Sequence, residues 1–170
     1  MRKFFLTFCL LIATVLGASA QQFGIKVGYF SYDEVLKQMP EYSISQQNLE
    51  QLRAQYAAEL KAAEGEFNEK YELFLDQQAS LAEPIRQKRQ ADLQALLERN
   101  TQFRAEAERL VNQAEKDAMA PIRKKLDDAI QTLGNTQGYL ILVNTDSDAV
   151  PYFSKNIAQD VTEALIKLTK

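Results

Sequence analysis

The sequence is poor in the residues that carry most enzyme chemistry. Its 170 residues include no histidine, no tryptophan and one cysteine, Cys9, with only six glycines and four prolines. Histidine is the usual general base at neutral pH, and histidine and cysteine are common ligands of transition metals. We therefore expect no enzyme activity, no cofactor and no metal site. The scarcity of glycine and proline favours long helices, because these two residues disfavour helix interiors most.

The first twenty residues predict a cleavable export signal. A basic Arg2-Lys3 pair precedes an apolar run at residues 4–16, and Ala18-Ser19-Ala20 matches a small-residue cleavage site. The apolar run is shorter than the roughly 20 residues that span a bilayer, which disfavours a membrane anchor. Cleavage after residue 20 removes Cys9, so we expect an exported chain without thiols or disulfides, located in a bacterial periplasm.

The remaining chain is acidic. Without Arg2-Lys3, 18 lysine and arginine residues stand against 23 aspartate and glutamate residues, which gives a net charge of −5. A surface with this balance does not favour binding to the phosphates of nucleic acids, so we expect no nucleic-acid partner.

Residues 42–133 form the dominant segment of the chain. They contain one glycine, Gly65, and two prolines, Pro84 and Pro121, among residues that are mostly strong helix formers. An ordinary helix has about 11 residues, so a helical segment of this length is unusual. Because proline disfavours helix continuation, Pro84 divides the segment into two limbs. We call the predicted helical hairpin the arm, with its tip near residue 84.

Each limb carries one narrow apolar stripe. Most of its positions recur at steps of three or four, as they do on one face of a helix or in a coiled-coil seam. Two such helices cover each other's stripe when they fold back antiparallel. The stripe positions are Leu49, Leu52, Tyr56, Leu60, Ala63, Phe67, Tyr71 and Phe74 on the first limb, and Leu93, Leu96, Asn100, Phe103, Ala107, Leu110 and Ala114 on the second. After Ala114 the steps lengthen through Ala118, Ile122, Leu126 and Ile130.

Apolar segments on either side of the arm predict a small β-rich base. Residues 25–30 (IKVGYF), 139–143 (YLILV) and 150–153 (VPYF) are predicted strands, the last of them at a sheet edge because it contains Pro151. Gly134 is placed to end the second limb. Three short strands bury little alone, so we expect the base, residues 21–41 and 134–170, to associate with other copies.

Two short helices complete the base. Ser31 and Glu34 form a Ser-x-x-Glu pattern that predicts a capped helix ending near Met39. A similar pattern at residues 160–163 (DVTE) predicts a closing helix whose apolar side is Val161, Leu165 and Leu168. The predicted fold is mainly α with a small β-rich base, from which a long antiparallel helical hairpin projects.

The tip of the arm holds two groups of candidate binding residues. Three leucines lie off the first stripe and are predicted to contact an apolar partner, or to thicken the packing of the hairpin: Leu73, Leu75 and Leu81. Three basic residues form either a solvated turn or a contact site for anionic partners such as lipid headgroups: Arg86, Lys88 and Arg89.

Two further residues are predicted flexible points of the arm. Gly65 adds backbone freedom inside the first limb, and Pro121 removes one helix hydrogen bond inside the second. The pair Asp146 and Asp148 has too few neighbouring oxygen ligands for a calcium loop, so we interpret it as a polar turn.

The order of these elements resembles the Skp/OmpH family of periplasmic chaperones. The resemblance covers residues 25–170 and depends on the order and spacing of loose motifs. These are GYF at 28–30, MPEY at 39–42, APIRKKLDDAI at 120–130, YLILVN at 139–144 and DVTEALIKL at 160–168.

The resemblance implies a homotrimer in which three helical hairpins project from a β-strand trimerisation body. In that family the arms enclose a cavity that holds unfolded outer-membrane proteins without ATP. The sequence pI of about 5.2 differs from the cationic character of better-known members, so no lipopolysaccharide site is carried over. The alternative function from the residues alone is a coiled-coil scaffold or adaptor of the bacterial envelope, without chaperone activity.

Overall fold

A computed structural model describes residues 25–170, so the predicted export signal lies outside the described residues. The chain is mainly helical with one small sheet, as predicted. In order, its elements are β1 (Val27–Phe30), α1 (Tyr32–Gln38), α2 (Pro40–Gln77), α3 (Glu83–Gln137), β2 (Ile141–Asn144), β3 (Ala158–Asp160) and α4 (Thr162–Thr169).

The three strands form a parallel sheet in the order β2-β1-β3. Val27 of β1 pairs with Ile141 on one side and with Ala158 on the other. The first strand of the chain is therefore the central one, and β2 and β3 each leave one edge unpaired within this sheet. The predicted strands at residues 25–30 and 139–143 are confirmed, each with its boundaries shifted by one or two residues.

The predicted strand at residues 150–153 is wrong. These residues belong to the loop between β2 and β3, and the third strand is Ala158–Asp160 instead. Pro151 has no N–H to donate to a ladder, and the aromatic ring of Phe153 packs against the ring of Tyr29, with centroids 5.2 Å apart. The apolar character of this segment therefore reflects loop packing and exposure, since Tyr152 is 83% exposed.

The first helix is capped as predicted. The Ser31 hydroxyl accepts a hydrogen bond from the backbone N–H of Glu34 at 3.0 Å, and α1 ends one residue before Met39. The next helix begins at Pro40, slightly earlier than expected, because the first position of a helix tolerates a residue without an N–H.

The two long helices, α2 and α3, pack antiparallel. Ion pairs join the two helices at successive levels: Glu41 with Lys125 at 2.6 Å, Arg53 with Glu115 at 2.6 Å, and Glu64 with Arg104. The sequence numbers of the partners run in opposite directions, as an antiparallel pair requires. The turn between the helices covers residues 78–82, and Pro84 lies in the first turn of α3.

The seam between α2 and α3 buries few side chains. Leu49 and Phe74 are buried on α2, and Leu96 and Ala107 on α3. Asn100 is also buried, and its side-chain amide donates a hydrogen bond to the backbone carbonyl of Ala63 at 2.9 Å. Tyr71 was predicted as a stripe position but is 44% exposed, and its ring stacks on that of Phe67, with centroids 5.8 Å apart.

The end of α3 differs from the prediction. The helix continues past Gly134 to Gln137, and Gly138, with φ at +68°, ends it. The N–H groups of Gly138 and Tyr139 both donate to the carbonyl of Gly134, which gives the helix a left-handed glycine cap. A glycine near a helix end was a correct signal, but the second of two candidates adopts the left-handed backbone.

The closing helix, α4, begins at Thr162, whose N–H donates to the Asp160 carboxylate at 3.0 Å. Val161 and Leu165 are buried as predicted. Leu168 is 50% exposed, and Ile166 is buried in its place. The buried face of α4 is therefore rotated relative to the prediction, because the helix packs against both α1 and α3.

The hydrophobic core lies where these short elements meet the base of α3. It joins Phe30 to residues from α1, from the end of α3 and from α4: Val35, Leu36, Met39, Met119, Ile122, Leu126, Ala129, Leu133, Val161, Leu165 and Ile166. The core thus extends into residues 119–133, which the sequence pattern assigned to the arm. We call residues 25–39 and 119–170, which contain β1, α1, the end of α3, β2, β3 and α4, the body.

Candidate functional site

Large exposed apolar side chains fall into two main groups in the described residues. One group lies on the body: Ile25, Leu140, Ile141, Val150, Tyr152, Ile157 and Leu168. The other lies between residues 66 and 99, which we call the distal arm: Tyr71, Leu73, Leu75, Ile85 and Leu97. Ile44, at the root of the arm, is the remaining one among residues 25–170.

The middle of the arm separates these two groups. Residues 45–65 and 100–118 are all described by the structure, and no large apolar side chain among them is exposed. Scattered exposed apolar side chains are normal on a protein surface, but a concentration of them often marks a binding surface. The distal arm is therefore the candidate site on the hairpin, and the body carries a second, separate apolar surface.

The structure does not place the three predicted contact leucines on one surface. Leu73 is 50% exposed, Leu75 is 45% exposed, and Leu81, in the turn, is half-buried. Residues two apart on an α-helix are turned by about 200° around its axis. Leu73 and Leu75 therefore lie on opposite flanks of α2.

The flank that contains Leu73 has a groove of about 480 Å³ between α2 and α3. Its apolar wall consists of Leu73, Phe74, Leu93, Ala95 and Leu96, and its polar lining of Glu66, Lys70, Arg89, Asp92 and Arg99. We call this set of residues the first flank. An apolar groove of this volume is large enough for several side chains of a partner.

The first flank carries three basic and two acidic side chains, and one acidic residue, Glu66, lies near two of the basic ones. The Glu66 carboxylate lies 2.5 Å from the Lys70 ammonium and 3.7 Å from the Arg99 guanidinium. The hydrogen bond from Lys70 lowers the pKa of Glu66 below its ordinary value. Arg89 donates to the side-chain oxygen of Gln77 at 2.7 Å. The groove thus offers apolar contacts beside a small net positive charge, three basic against two acidic side chains.

The opposite side of the distal arm has a smaller groove of about 400 Å³. It is lined by Glu64, Phe67, Asn68, Leu97, Asn100, Thr101 and Arg104. Leu97 is 52% exposed, and Glu64 and Arg104 form an ion pair at the edge of the groove. We call these residues, with Tyr71 and Leu75, the second flank.

The basic residues of the tip are partly engaged within the arm. Arg86 pairs with Glu83 one turn earlier on α3, and Arg89 bonds to Gln77 as described above. Lys88 is exposed. Exposed pairs of this kind contribute only tenths of a kcal/mol to stability, but they reduce the charge available to an anionic partner.

The two predicted flexible points occupy different environments. Gly65 lies inside α2, and a Cβ atom at this position would meet nothing within 4 Å. Pro121 is exposed inside α3, which remains helical through it. It lines a groove at the root of the arm, together with Ile44, Leu49 and Leu52 of α2.

Leu97 and Ile85 were not predicted as site residues. The sequence signal for Leu97 is its position directly after Leu96, since two neighbouring leucines on a helix cannot both face the same seam. Ile85 follows Pro84 at the start of α3, where a helix has just begun and its buried face is not yet set by periodicity.

Two further kinds of feature were sought in the part of the chain that the structure describes. Among residues 25–170, no group of three or more His, Cys, Asp or Glu side chains could hold a metal ion. No helix within this range is long and apolar enough to cross a membrane.

Fold and site together define a helical-hairpin protein with a small α/β body and exposed apolar surfaces at both ends. A family model described as Outer membrane protein (OmpH-like) matches residues 26–168, which is most of the chain. The chain belongs to this OmpH-like family, which confirms the resemblance seen in the sequence.

A solved structure shows the same fold. It is that of a candidate outer membrane chaperone (OmpH-like) from Caulobacter crescentus CB15, with a TM-score of 0.71 and 19% sequence identity. The match covers 84% of this chain and 83% of the Caulobacter chain. No curated protein matches the sequence at a significant level.

Proposed function

We propose that this protein is a periplasmic chaperone that holds unfolded outer-membrane proteins without ATP and prevents their aggregation. Membership of the OmpH-like family supports a role with outer-membrane proteins. The predicted export signal supports a periplasmic location. The observation that carries the proposal is the concentration of exposed apolar side chains on the distal arm, away from the body.

A holding chaperone needs contacts that are numerous, weak and adaptable. Many different clients can then bind through several contacts at once, and affinity arises from multivalency rather than from one specific pocket. The distal arm suits this requirement, because its apolar side chains lie on helix surfaces and in shallow grooves. Unfolded membrane β-strands supply the matching partner, since every second side chain of such a strand is apolar.

We further propose that the body joins three copies, so that three arms enclose the client. The free sheet edges belong to different strands, β2 and β3, and exposed Ile141 and Ile157 lie in β2 and immediately before β3. Pairing of β2 in one copy with β3 in the next is a heterologous contact that can close into a ring. A three-stranded sheet gains stability from such closure.

Contact of the arm tips with anionic lipid stays a separate prediction. Lys88 is exposed, whereas Arg86 and Arg89 are engaged within the arm. We therefore place client holding, not lipid binding, at the centre of the proposal.

The first experiment measures assembly and holding on the chain lacking residues 1–20. Size-exclusion chromatography with light scattering should give the mass of a trimer, and a monomer would contradict the assembly proposal. Light scattering should also show that the trimer, at equimolar ratio and without nucleotide, suppresses aggregation of a urea-unfolded β-barrel protein. A protein that leaves aggregation unchanged but binds one folded envelope protein would be a scaffold instead.

The second experiment tests the surface that carries the proposal. The triple substitution Leu73→Ser, Leu75→Ser and Leu81→Ser should weaken suppression of aggregation while leaving the oligomer mass unchanged. Ile44→Ser is the matched control, because Ile44 is 58% exposed but lies at the root of the arm. Equal loss of holding in the control and the triple variant would remove the distal arm from the mechanism.

A further inference from the structure

We propose that each distal arm has two separate client-binding surfaces, on opposite flanks of the hairpin, and that each binds an uncharged apolar segment. The first flank presents Leu73 and the second presents Leu97. This proposal rests on the chaperone function proposed above and deepens it, because it states how many client segments one arm engages and of what chemistry.

Two ion pairs between the helices identify the flanks independently of the leucines. Glu66 lies near Arg99 on the first flank, and Glu64 pairs with Arg104 on the second. Glu64 and Glu66 are two residues apart, as Leu73 and Leu75 are, so each pair of residues diverges by about 200° around α2. Buried side chains separate the flanks: Phe74 and Leu96 at the inner edge of the first flank and Asn100, bonded to the carbonyl of Ala63, at the inner edge of the second fill the seam.

Each flank combines an apolar wall with charges that nearly balance: three basic and two acidic side chains line the first flank, and one basic and one acidic side chain line the second. On the first flank, Glu66 is shared by Lys70 and Arg99. On the second flank, the Glu64 carboxylate forms an ion pair with Arg104. A segment that carries charge would have to compete with these pairs or remain unpaired beside an apolar wall, which costs free energy. Electrostatic complementarity therefore favours uncharged segments, such as the lipid-facing sides of unfolded membrane strands.

Two surfaces on one arm increase the affinity for one flexible chain. Once a client segment occupies the first flank, a second segment of the same chain binds the other flank as an intramolecular event. The fold-changes in the dissociation constant that follow from weakening each flank then multiply when both flanks are weakened. A client bound by one flank only would show no such product.

The test uses a matched pair of substitutions in the chain lacking residues 1–20. Leu73→Ser and Leu97→Ser remove side chains of the same type at almost equal exposure, 50% and 52%. Fluorescence titration with a labelled, urea-unfolded β-barrel protein gives the dissociation constant. Each single variant should raise it by about fivefold, the effect of losing the burial of roughly half a leucine side chain, and the double variant by about the product.

Three outcomes would overturn the two-flank proposal. In the first two, Leu97→Ser or Leu73→Ser leaves the dissociation constant unchanged. In the third, the dissociation constant of the double variant equals that of the weaker-binding single variant. In each case the unsubstituted protein still binds client, so the chaperone function survives. Failure of the unsubstituted protein to bind at all would instead contradict the proposed function.

Photo-crosslinking identifies what occupies each flank. The chain lacking residues 1–20 contains no cysteine, so Leu73→Cys and Leu97→Cys provide unique attachment sites for a photoreactive probe, with Ile44→Cys as control. Both distal positions should crosslink to the unfolded β-barrel protein, and position 44 much less. Crosslinks from position 97 only to another arm would show that the second flank contacts a neighbouring copy, and would overturn the proposal.

Discussion

The body and the arm of this protein bury their apolar side chains in different ways. In the body, side chains from a strand, three helices and the connecting segments surround a core in which Val35, Leu126 and Leu165 are fully buried. In the arm, two helices cover only one stripe of each other, and most seam positions stay partly exposed. The body can therefore hold one rigid structure, whereas the arm obtains its order from helix propensity, a narrow seam and surface ion pairs.

This difference suggests a division of work between the two regions. A rigid core keeps the sheet edges in place, as the proposed association of copies requires. A two-helix arm with few buried side chains should adjust its shape more readily, as the proposed holding of varied clients requires, because regions with few buried contacts open and move most easily. The predictions below measure how sharp the division is, beginning with the largest expected effect.

The largest loss of stability should follow from a substitution that creates a cavity in the body core. Leu165→Ala should lower the free energy of unfolding by about 2–5 kcal/mol, the usual range for a fully buried leucine. Leu96→Ala in the arm seam should cost less, because neighbouring side chains of a two-helix seam can move to fill the space. Urea denaturation at one fixed protein concentration measures both. Leu168→Ala, on the same helix as Leu165 but exposed, is the control and should change stability by no more than about 0.5 kcal/mol.

A glycine substitution in the body should destabilise through the backbone alone. Gly138 has φ at +68°, and a Cβ atom there would meet nothing within 4 Å. Gly138→Ala should therefore cost about 1–2 kcal/mol, which is the penalty of a left-handed backbone for an L-residue. Urea denaturation gives the value. An unchanged stability would mean that α3 ends in another conformation in solution.

A glycine-to-alanine substitution in the arm should stabilise the protein instead. Gly65 is inside α2 with open space around its Cβ position, so Gly65→Ala should stabilise the arm by up to about 1 kcal/mol. Hydrogen exchange should slow around residue 65 and remain unchanged in the body. If exchange near residue 65 does not slow, Gly65 is not a flexible point of the arm.

The smallest effects should appear at the two extremes of pH. At the root of the arm a hydrogen bond from Lys125 lowers the pKa of Glu41 below 4.5, and in the distal arm one from Lys70 does the same for Glu66. Their contribution is complete above pH 4.5 and is lost as the pH falls through the lowered values. Circular dichroism should show a small loss of thermal stability in acid, and Glu66→Gln should reduce the pH dependence of that loss.

In the body a small loss of stability should occur at alkaline pH. Burial, followed by the nearby Asp127 carboxylate, raises the pKa of Tyr32 above 10.0. The folded state thus retains the phenol proton more strongly, and this contribution is lost as the pH rises from 10 through the raised value. Thermal unfolding should reveal a small decrease of stability above pH 10. If the stability of the Tyr32→Phe variant decreased equally over that pH range, Tyr32 would not be the cause of the decrease.

Periodicity predicted the long helices well because their stripes repeat over many turns. The positions of Leu49, Phe74, Leu96 and Ala107 on the seam follow directly from steps of three and four. The change to longer steps after Ala114 was also visible, and it precedes the place where α3, still packed beside α2, begins to contribute to the body core at Met119. Its meaning was not clear from the sequence, because periodicity alone does not reveal which element a helix packs against.

The short elements were predicted less well, since tertiary contacts decide them. Strand β3 (Ala158–Asp160) has no apolar alternation and forms because β1 offers a free ladder beside it. Residues 150–153 have the composition of a strand but contain Pro151 and pack through Phe153 as a loop. At the candidate site, the sequence indicated the apolar leucines near the tip, but their division between two flanks requires the geometry of the hairpin.

The position of β1 at the centre of the sheet has a consequence for the order of folding. Its partners in the two neighbouring strands lie 114 and 131 residues later in the chain, at Ile141 and Ala158. Contacts this distant in sequence form slowly unless an intervening structure brings the ends together, and the hairpin of α2 and α3 does so. A chain that emerges from its amino end first can thus complete an arm before it has a sheet. In the proposed assembly, joining of copies through that sheet then comes last, after the proposed holding surfaces have formed.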